Sequence, residues 1–318
     1  MAGRRAGRFP GRAARPGRTR HERPAPRPGQ PAGRPERKGA ASGGPALAPA
    51  ADVVFGRQPV REVLRAGRPV ARIWLQAGPA RGSLGEIAGL ARERGVPVVE
   101  VPRAHLDRLT AGAVHQGVVA QVAAAPTWTW DRLEAHLTEV SEPFLLLLDR
   151  VQDPQNLGAI LRVAEAAGAD GVVIPQRGAP GLTGAVAKAA AGAAEWIPVA
   201  RVANLAATVQ ALQRWGFFVF AAVPDGERAY FEVDWRGPVA VVIGGEGTGV
   251  RPLVVARCDG TVRIPMAGKV ASLNAAAAAA VIAFEVRRQR GGLAAEGPGG
   301  MERRRAGAEE SGGVPSKK

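Results

Sequence analysis

The block Phe144-Leu-Leu-Leu-Leu-Asp149 constrains the fold of this chain more than any other stretch. A short apolar run with no polar alternation reads as a strand covered on both faces, and such strands belong to parallel sheets flanked by helices. Val239-Ala-Val-Val-Ile243 repeats the pattern. From Phe144 onward the expected strands are Phe144–Asp149, Gly171–Ile174, Trp196–Val202, Phe217–Ala222, Val239–Gly244 and Thr261–Ile264. Helices are expected at Leu157–Ala167, Leu182–Ala194, Leu205–Trp215 and Leu273–Arg288. The alternation defines an α/β fold with a parallel sheet, in which ligands sit beyond the carboxyl ends of the strands.

A smaller α/β unit precedes it. Gly56–Arg65 places Val60, Val63 and Leu64 on one helical face, Ala71–Gln76 reads as a strand, and Ser83 is the expected cap of a helix running to Arg94. A strand at Pro97–Val101, a helix at Arg103–Leu109 and a strand at Gly117–Val122 follow. His115 lies in a polar turn, where loop capping is favoured over contact with a nucleobase. Trp128 and Trp130 are expected to pack a connecting segment against a domain rather than to stack on RNA. The expected division is residues 1–50 a disordered basic tail, 51–123 a small α/β domain, 124–143 a linker, 144–288 the main domain, and 289–318 a second disordered tail.

Charge follows this division. Residues 1–50 hold twelve Lys or Arg against two Glu, a balance of +10, and Arg287–Lys318 hold eight against four, +4, which leaves Ala51–Val286 near +1. Basic tails point to a polyanionic partner, since Lys and Arg on phosphates release condensed counterions. For the first tail an RNA-binding arm and a solvated segment remain open. One cysteine, Cys258, cannot form an internal disulfide, which favours a cytoplasmic setting, and one Cys with four His gives no zinc site. The apolar run Ala275–Phe284 is far short of the ~20 residues a membrane span needs.

Three loops carry the chemistry. In the first, Asn156 is the expected cap of the helix after it, and Gly158 with Arg162 shares a face on which a phosphate or sugar could approach. In the second, Gly244-Gly245-Glu246-Gly247-Thr248-Gly249 ends an apolar strand. It fits neither G-x-G-x-x-G nor the P-loop, because Glu246 stands where a glycine is needed and Val250-Arg251 where Lys-Ser/Thr is. A carboxylate there repels phosphate and suits an adenosine group bearing a positive sulfonium. In the third, Ser272 is the expected cap of an alanine-rich helix, with Asn274 in its first turn.

In order and spacing, Asn156-x-Gly158-x-x-x-Arg162, Gly244-Gly-Glu246-Gly-x-Gly249 and Ile264-Pro-Met-x-Gly268-x-Val270-x-Ser272-Leu-Asn274 closely resemble the three motifs of the SpoU (TrmH-like) RNA 2′-O-ribose methyltransferases. The resemblance covers Phe144 to Arg288, and Val53–Val122 looks like the small domain, similar to an RNA-binding ribosomal protein, that precedes it in some members. It implies a C-terminal segment threaded through a loop as a trefoil knot. It also implies S-adenosyl-L-methionine as methyl donor, held near Gly244, Gly245, Ile264 and Leu273, and a homodimer whose site is completed across the interface. Arg162 would be the key catalytic group, with Asn156, Glu246, Ser272 and Asn274 around it. Because arginine stays protonated, Arg162 is expected to position a phosphate and stabilise the developing alkoxide rather than to act as base.

The subgroup it looks like methylates guanosine in large-subunit ribosomal RNA. A tRNA ribose methyltransferase, or an RNA-binding ribosome-assembly protein without turnover, are the alternatives. Lys188-Ala-Ala-Ala-Gly192-Ala193 departs from the family pattern, with Ala190 where relatives carry serine, as do Ala275 and Ala276, where Val-Ser is common.

Overall fold

The structure, a computed structural model, describes residues 52–79, 82–123 and 125–291 of the chain. Residues 1–50 and 292–318, where tails are expected, lie outside the described residues.

The first part comprises β1 (Asp52–Phe55), α1 (Arg57–Arg65), β2 (Val70–Gln76), α2 (Ser83–Glu93), β3 (Val98–Val101), α3 (Arg103–Leu109) and β4 (Val118–Val122). Its four strands form one sheet in the order β1-β4-β2-β3, β4 running antiparallel to both neighbours and β2 parallel to β3. α1 and α2 cover one face around Val60, Leu64, Ile73 and Ile87, while α3 covers the other through Leu106, against Trp74 and Val119. The strand β1 is absent from the sequence expectation, since four residues carry no usable period and are fixed by pairing with β4. Ser83 opens α2 without capping it; its hydroxyl instead accepts a hydrogen bond from the Arg57 guanidinium at 3.3 Å.

The second part comprises α4 (Trp130–Leu137), β5 (Phe144–Asp149), α5 (Pro154–Ala167), β6 (Gly171–Pro175), α6 (Gly184–Ala189), β7 (Val199–Val202), α7 (Leu205–Arg214), β8 (Phe218–Ala222), β9 (Arg228–Ala229), β10 (Val239–Gly244), α8 (Pro252–Val255), β11 (Gly260–Arg263) and α9 (Ala275–Gln289). Seven strands run in the order β7-β6-β5-β10-β8-β11-β9, and every neighbouring pair is parallel. Leu146 and Leu148 of β5 pack with Val241 and Ile243 of β10 under α5 and α9. Leu145, Leu147, Ala240 and Val242 face the other way, under α4 and α7. Both faces are covered, which is why these strands read as continuous apolar runs.

Local differences from expectation have identifiable causes. α5 begins three residues early because Asp153, not Asn156, caps it: the carboxylate accepts the Gln155 and Asn156 N–H groups at 3.1 and 3.3 Å, with Pro154 in the first turn. α9 begins two residues late, capped by Asn274 rather than Ser272. The helix expected through Ala194 stops at Ala189, and the chain passes Ala191 and Gly192 at φ 51 and 97 before a 3-10 turn at Ala193–Glu195. β7 accordingly starts at Val199, not Trp196. Alanine is a good helix former throughout that stretch, so the break is tertiary in origin: Gly192 lies against Glu62 of α1, leaving no room for a Cβ. Of the tryptophans at 128 and 130, the first donates its backbone N–H to the Val199 carbonyl and its ring stacks with Arg132, and the second lies on Trp215 at 5.5 Å.

Candidate functional site

The site begins with a register. β5 and β10 are central neighbours, and Asp149 and Gly244 are paired at their carboxyl ends, so the loops that follow start side by side. Asp149 is 1% exposed and ties them together: its carboxylate accepts the Arg251 backbone N–H and Nε, both at 2.8 Å, while its carbonyl accepts the Gly245 N–H at 2.8 Å. Gly245 has to be glycine because a Cβ there would collide with the Arg150 carbonyl. Gly244, where a Cβ would meet the Gly249 backbone, likewise serves the chain's own close folding. The Asp149–Arg251 pair escapes the sequence reading, although the acid ending the apolar block was its one available signal.

Across the loops, three expected residues meet. Asn274 Nδ2 donates to Asn156 Oδ1 at 2.8 Å and to Glu246 Oε1. Its Oδ1 accepts the Ala276 and Ala277 N–H groups at 2.9 and 3.3 Å. One side chain thus caps α9 and joins all three motifs, with every polar atom engaged. Ser272 lines the cavity beside this network and is exposed, its capping place taken by Asn274.

Arg162 is placed elsewhere. It is exposed on α5, does not line the cavity, and makes no hydrogen bond or ion pair among the described residues. Gly158 does not form an open face beside it: a Cβ there would lie 2.7 Å from the Val186 carbonyl and against Ala189, so the missing side chain serves the α5–α6 contact.

The cavity itself, about 590 Å³, opens between the loops after β8, β10 and β11. Gly244, Gly245, Ile264 and Leu273 all line it, with Ile243, Val262 and Met266 supplying apolar wall. Among the described residues, Glu246 is the only ionisable side chain that lines it, with no Lys or Arg. One acid and no base suit a cationic ligand with an apolar part, not a phosphate. Cys258 takes no part: burial, and next the Asp259 carboxylate, push its thiol up to about 12. Among the described residues no cluster of His, Cys, Asp and Glu could hold a metal ion, and no helix is long and apolar enough to cross a membrane.

Fold and site together define a class, a parallel α/β enzyme with its ligand cavity at the carboxyl ends of the strands. Comparison with known proteins makes the class specific. Residues 143–284 match the SpoU rRNA Methylase family, and residues 53–128 match the RNA 2′-O ribose methyltransferase substrate-binding family. YacO of Bacillus subtilis, which carries a TrmH-family tRNA/rRNA methyltransferase name, is 44% identical over 75% of this chain and 96% of its own. The 23S rRNA (guanosine-2′-O-)-methyltransferase RlmB of Pseudomonas putida is 41% identical over 74% of this chain and 96% of its own. The SpoU methyltransferase AviRb of Streptomyces viridochromogenes, solved with AdoMet, superimposes with a TM-score of 0.63 at 27% identity, covering 76% of this chain and 91% of that one. The chain belongs to the SpoU rRNA methylase family, RNA 2′-O-methyltransferases that take their methyl group from S-adenosylmethionine. The cavity's chemistry fits that donor, whose sulfonium is cationic and whose adenine ring presents apolar faces.

Proposed function

We propose that this protein methylates the ribose 2′-hydroxyl of a guanosine in large-subunit ribosomal RNA. The observation that carries the reading is the Asn156–Asn274–Glu246 network, which joins three loops at a cavity lined by one acid and no base. Support for the ribosomal target is the 41% identity to the Pseudomonas putida enzyme named for it. Gly244, Gly245, Ile264 and Leu273 hold the donor, which when bound supplies an electrophilic methyl group. Asn156, Glu246, Ser272 and Asn274 orient the loops and the ribose for in-line attack. Arg162 holds a neighbouring phosphate and stabilises the alkoxide as its proton leaves to water. Its place outside its own chain's cavity supports action across a homodimer interface. In this reading the protein is cytoplasmic, residues 51–123 engage RNA, 144–288 transfer the methyl group, and the C-terminal part is threaded as a trefoil knot.

Mapping ribose methylation in ribosomal and transfer RNA, from cells lacking the gene and from cells carrying Arg162→Ala, tests target and residue together. The expected result is loss of the same 2′-O-methylguanosine of large-subunit ribosomal RNA in both. Loss from a tRNA instead overturns the target, and full methylation in the Arg162→Ala cells overturns the role of Arg162.

A further inference from the structure

The small sheet carries a cavity of its own, about 390 Å³, bordered by the turns after β2 and before β4. Arg57, Gln76, Leu84, Arg103, Val114 and Gln116 line it. Its base is fixed by His115, which is 4% exposed: Nδ1 accepts the Gly117 N–H at 3.0 Å, and Nε2 lies 3.0 Å from Asp107 Oδ1. With Nδ1 accepting, Nε2 carries the proton and donates to Asp107. Gln116 sits at φ 54, a left-handed conformation that costs a non-glycine residue, and the turn is held there by Arg57. The Arg57 N–H donates to Gln116 Oε1 at 2.9 Å and its Nε to the Gln116 carbonyl at 3.2 Å.

Two arginines and one carboxylate, Asp107, border this cavity. Arg61 and Arg65 pair with Glu62 and Glu86, and Arg68 pairs with Glu195, so their charge is neutralised within the protein. Among the described residues the Arg57 guanidinium meets only neutral acceptors, the Gln116 carbonyl and the Ser83 hydroxyl, and so is fixed in place with its full charge. Arg103, 74% exposed, meets Asp107 at no closer than 3.9 Å, and that carboxylate already serves His115. The Gln76 amide makes no hydrogen bond among the described residues and offers a donor and an acceptor side by side. Leu84, half-buried, and Val114, 69% exposed, add apolar surface. Cations for phosphates, an unengaged amide for a base edge and an apolar wall for a base face are the contacts that an unpaired nucleotide takes.

We propose that this cavity binds an unpaired nucleotide of the RNA substrate, with Arg57 and Arg103 on its phosphates and Gln76 on the base edge. The inference rests on the reading of the chain as an RNA methyltransferase, and the cavity lies within the stretch that matches the substrate-binding family. A paired base keeps its edge inside the helix, so the ligand is a loop, bulge or single strand.

The test uses the full-length protein, Arg103→Gln and Gln76→Ala, positions whose side chains carry no fold-sustaining contact. RNA binding is measured with an unmodified transcript of large-subunit ribosomal RNA at several salt concentrations, methyl transfer with the same transcript, and S-adenosylmethionine binding by calorimetry. Either variant is expected to bind the transcript about tenfold more weakly and to show the loss in KM. Arg103→Gln should also flatten the log–log salt dependence by about 0.7, a slope that Arg103→Lys restores. Donor affinity stays at the wild-type value. If both variants bind the transcript like the wild type, and the wild type methylates it, the cavity assignment is overturned and the function stands. A wild-type protein that binds the donor but neither binds nor methylates RNA overturns the function, and this proposal with it.

Discussion

Asn274 shows how much one residue carries at this site. Its Oδ1 caps α9, and its Nδ2 reaches both Asn156 and Glu246, so stability and site geometry depend on different atoms of one amide. Asn274→Ala removes both and should cost about 1 kcal/mol of stability together with most of the activity. Asn274→Asp keeps a capping oxygen at the positive end of the helix but sets a second carboxylate against Glu246 and removes both donors. Melting temperature near the wild-type value with methyl transfer down about 100-fold is therefore expected for Asn274→Asp; equal losses in the two measurements would show that the network only caps. That Asn156, Glu246 and Asn274 lie close together is legible in the sequence, because their motifs follow a known order. Their bonding is not. Asn156 and Ser272 read as helix caps, yet Asp153 and Asn274 hold those positions, since each lies where its side-chain oxygen reaches the free N–H groups of the first turn. The Asp149–Arg251 pair joins residues 102 apart, a separation no local pattern encodes.

At the scale of elements, the parallel strands are the most legible part of the chain. β5 and β10 run over the expected residues because burial on both faces writes itself directly as an apolar block. Elements without such a signature, the two-residue β9 and the one-turn α8, are fixed by their neighbours and cannot be read locally. The break after α6 belongs with them, since its alanines favour helix on both sides of the stop. α5 and α6 touch where Gly158 meets Val186 and Ala189, and this contact decides what Gly158 is for. A methyl group there has backbone on one side and a short rigid side chain on the other, so neither can yield without moving a helix. Gly158→Ala should destabilise the protein by about 1–3 kcal/mol in urea denaturation, despite the higher helix propensity of alanine. A neutral or stabilising result would mean that the α5–α6 contact is loose and would reopen the face beside Arg162 to a ligand.

On the scale of the whole molecule, the two sheets are joined by more than the segment between them. Composition changes at Pro126 and Trp128 mark where one unit ends, but nothing local says whether the units dock. In the structure they do. Ala187 of α6 completes the core of the small sheet, Trp196 Nε1 donates to Glu62 Oε2 at 3.1 Å, and Arg68 meets Glu195 at 2.7 Å with the side chains 6% and 7% exposed. Those last two residues are 127 apart, and Arg68 Nε also holds the Ala123 carbonyl at 2.9 Å. A docked seam fixes the span between the nucleotide cavity of the small sheet and the methyl-transfer cavity, so RNA must bridge a set distance rather than follow a mobile arm. Arg68→Ala strands the Glu195 carboxylate in a buried place, and breaking a buried pair this way costs about 3–5 kcal/mol. Replacing both residues, Arg68→Met with Glu195→Met, removes the stranded charge and should recover most of that loss. If the seam also sets the span, Arg68→Ala should raise KM for RNA while leaving the affinity for S-adenosylmethionine alone, because the donor cavity lies wholly within the large-sheet part. Calorimetric unfolding with transfer kinetics on the same three proteins decides it: a stability loss with no change in KM would leave the pair as a fastening only, without a part in presenting RNA.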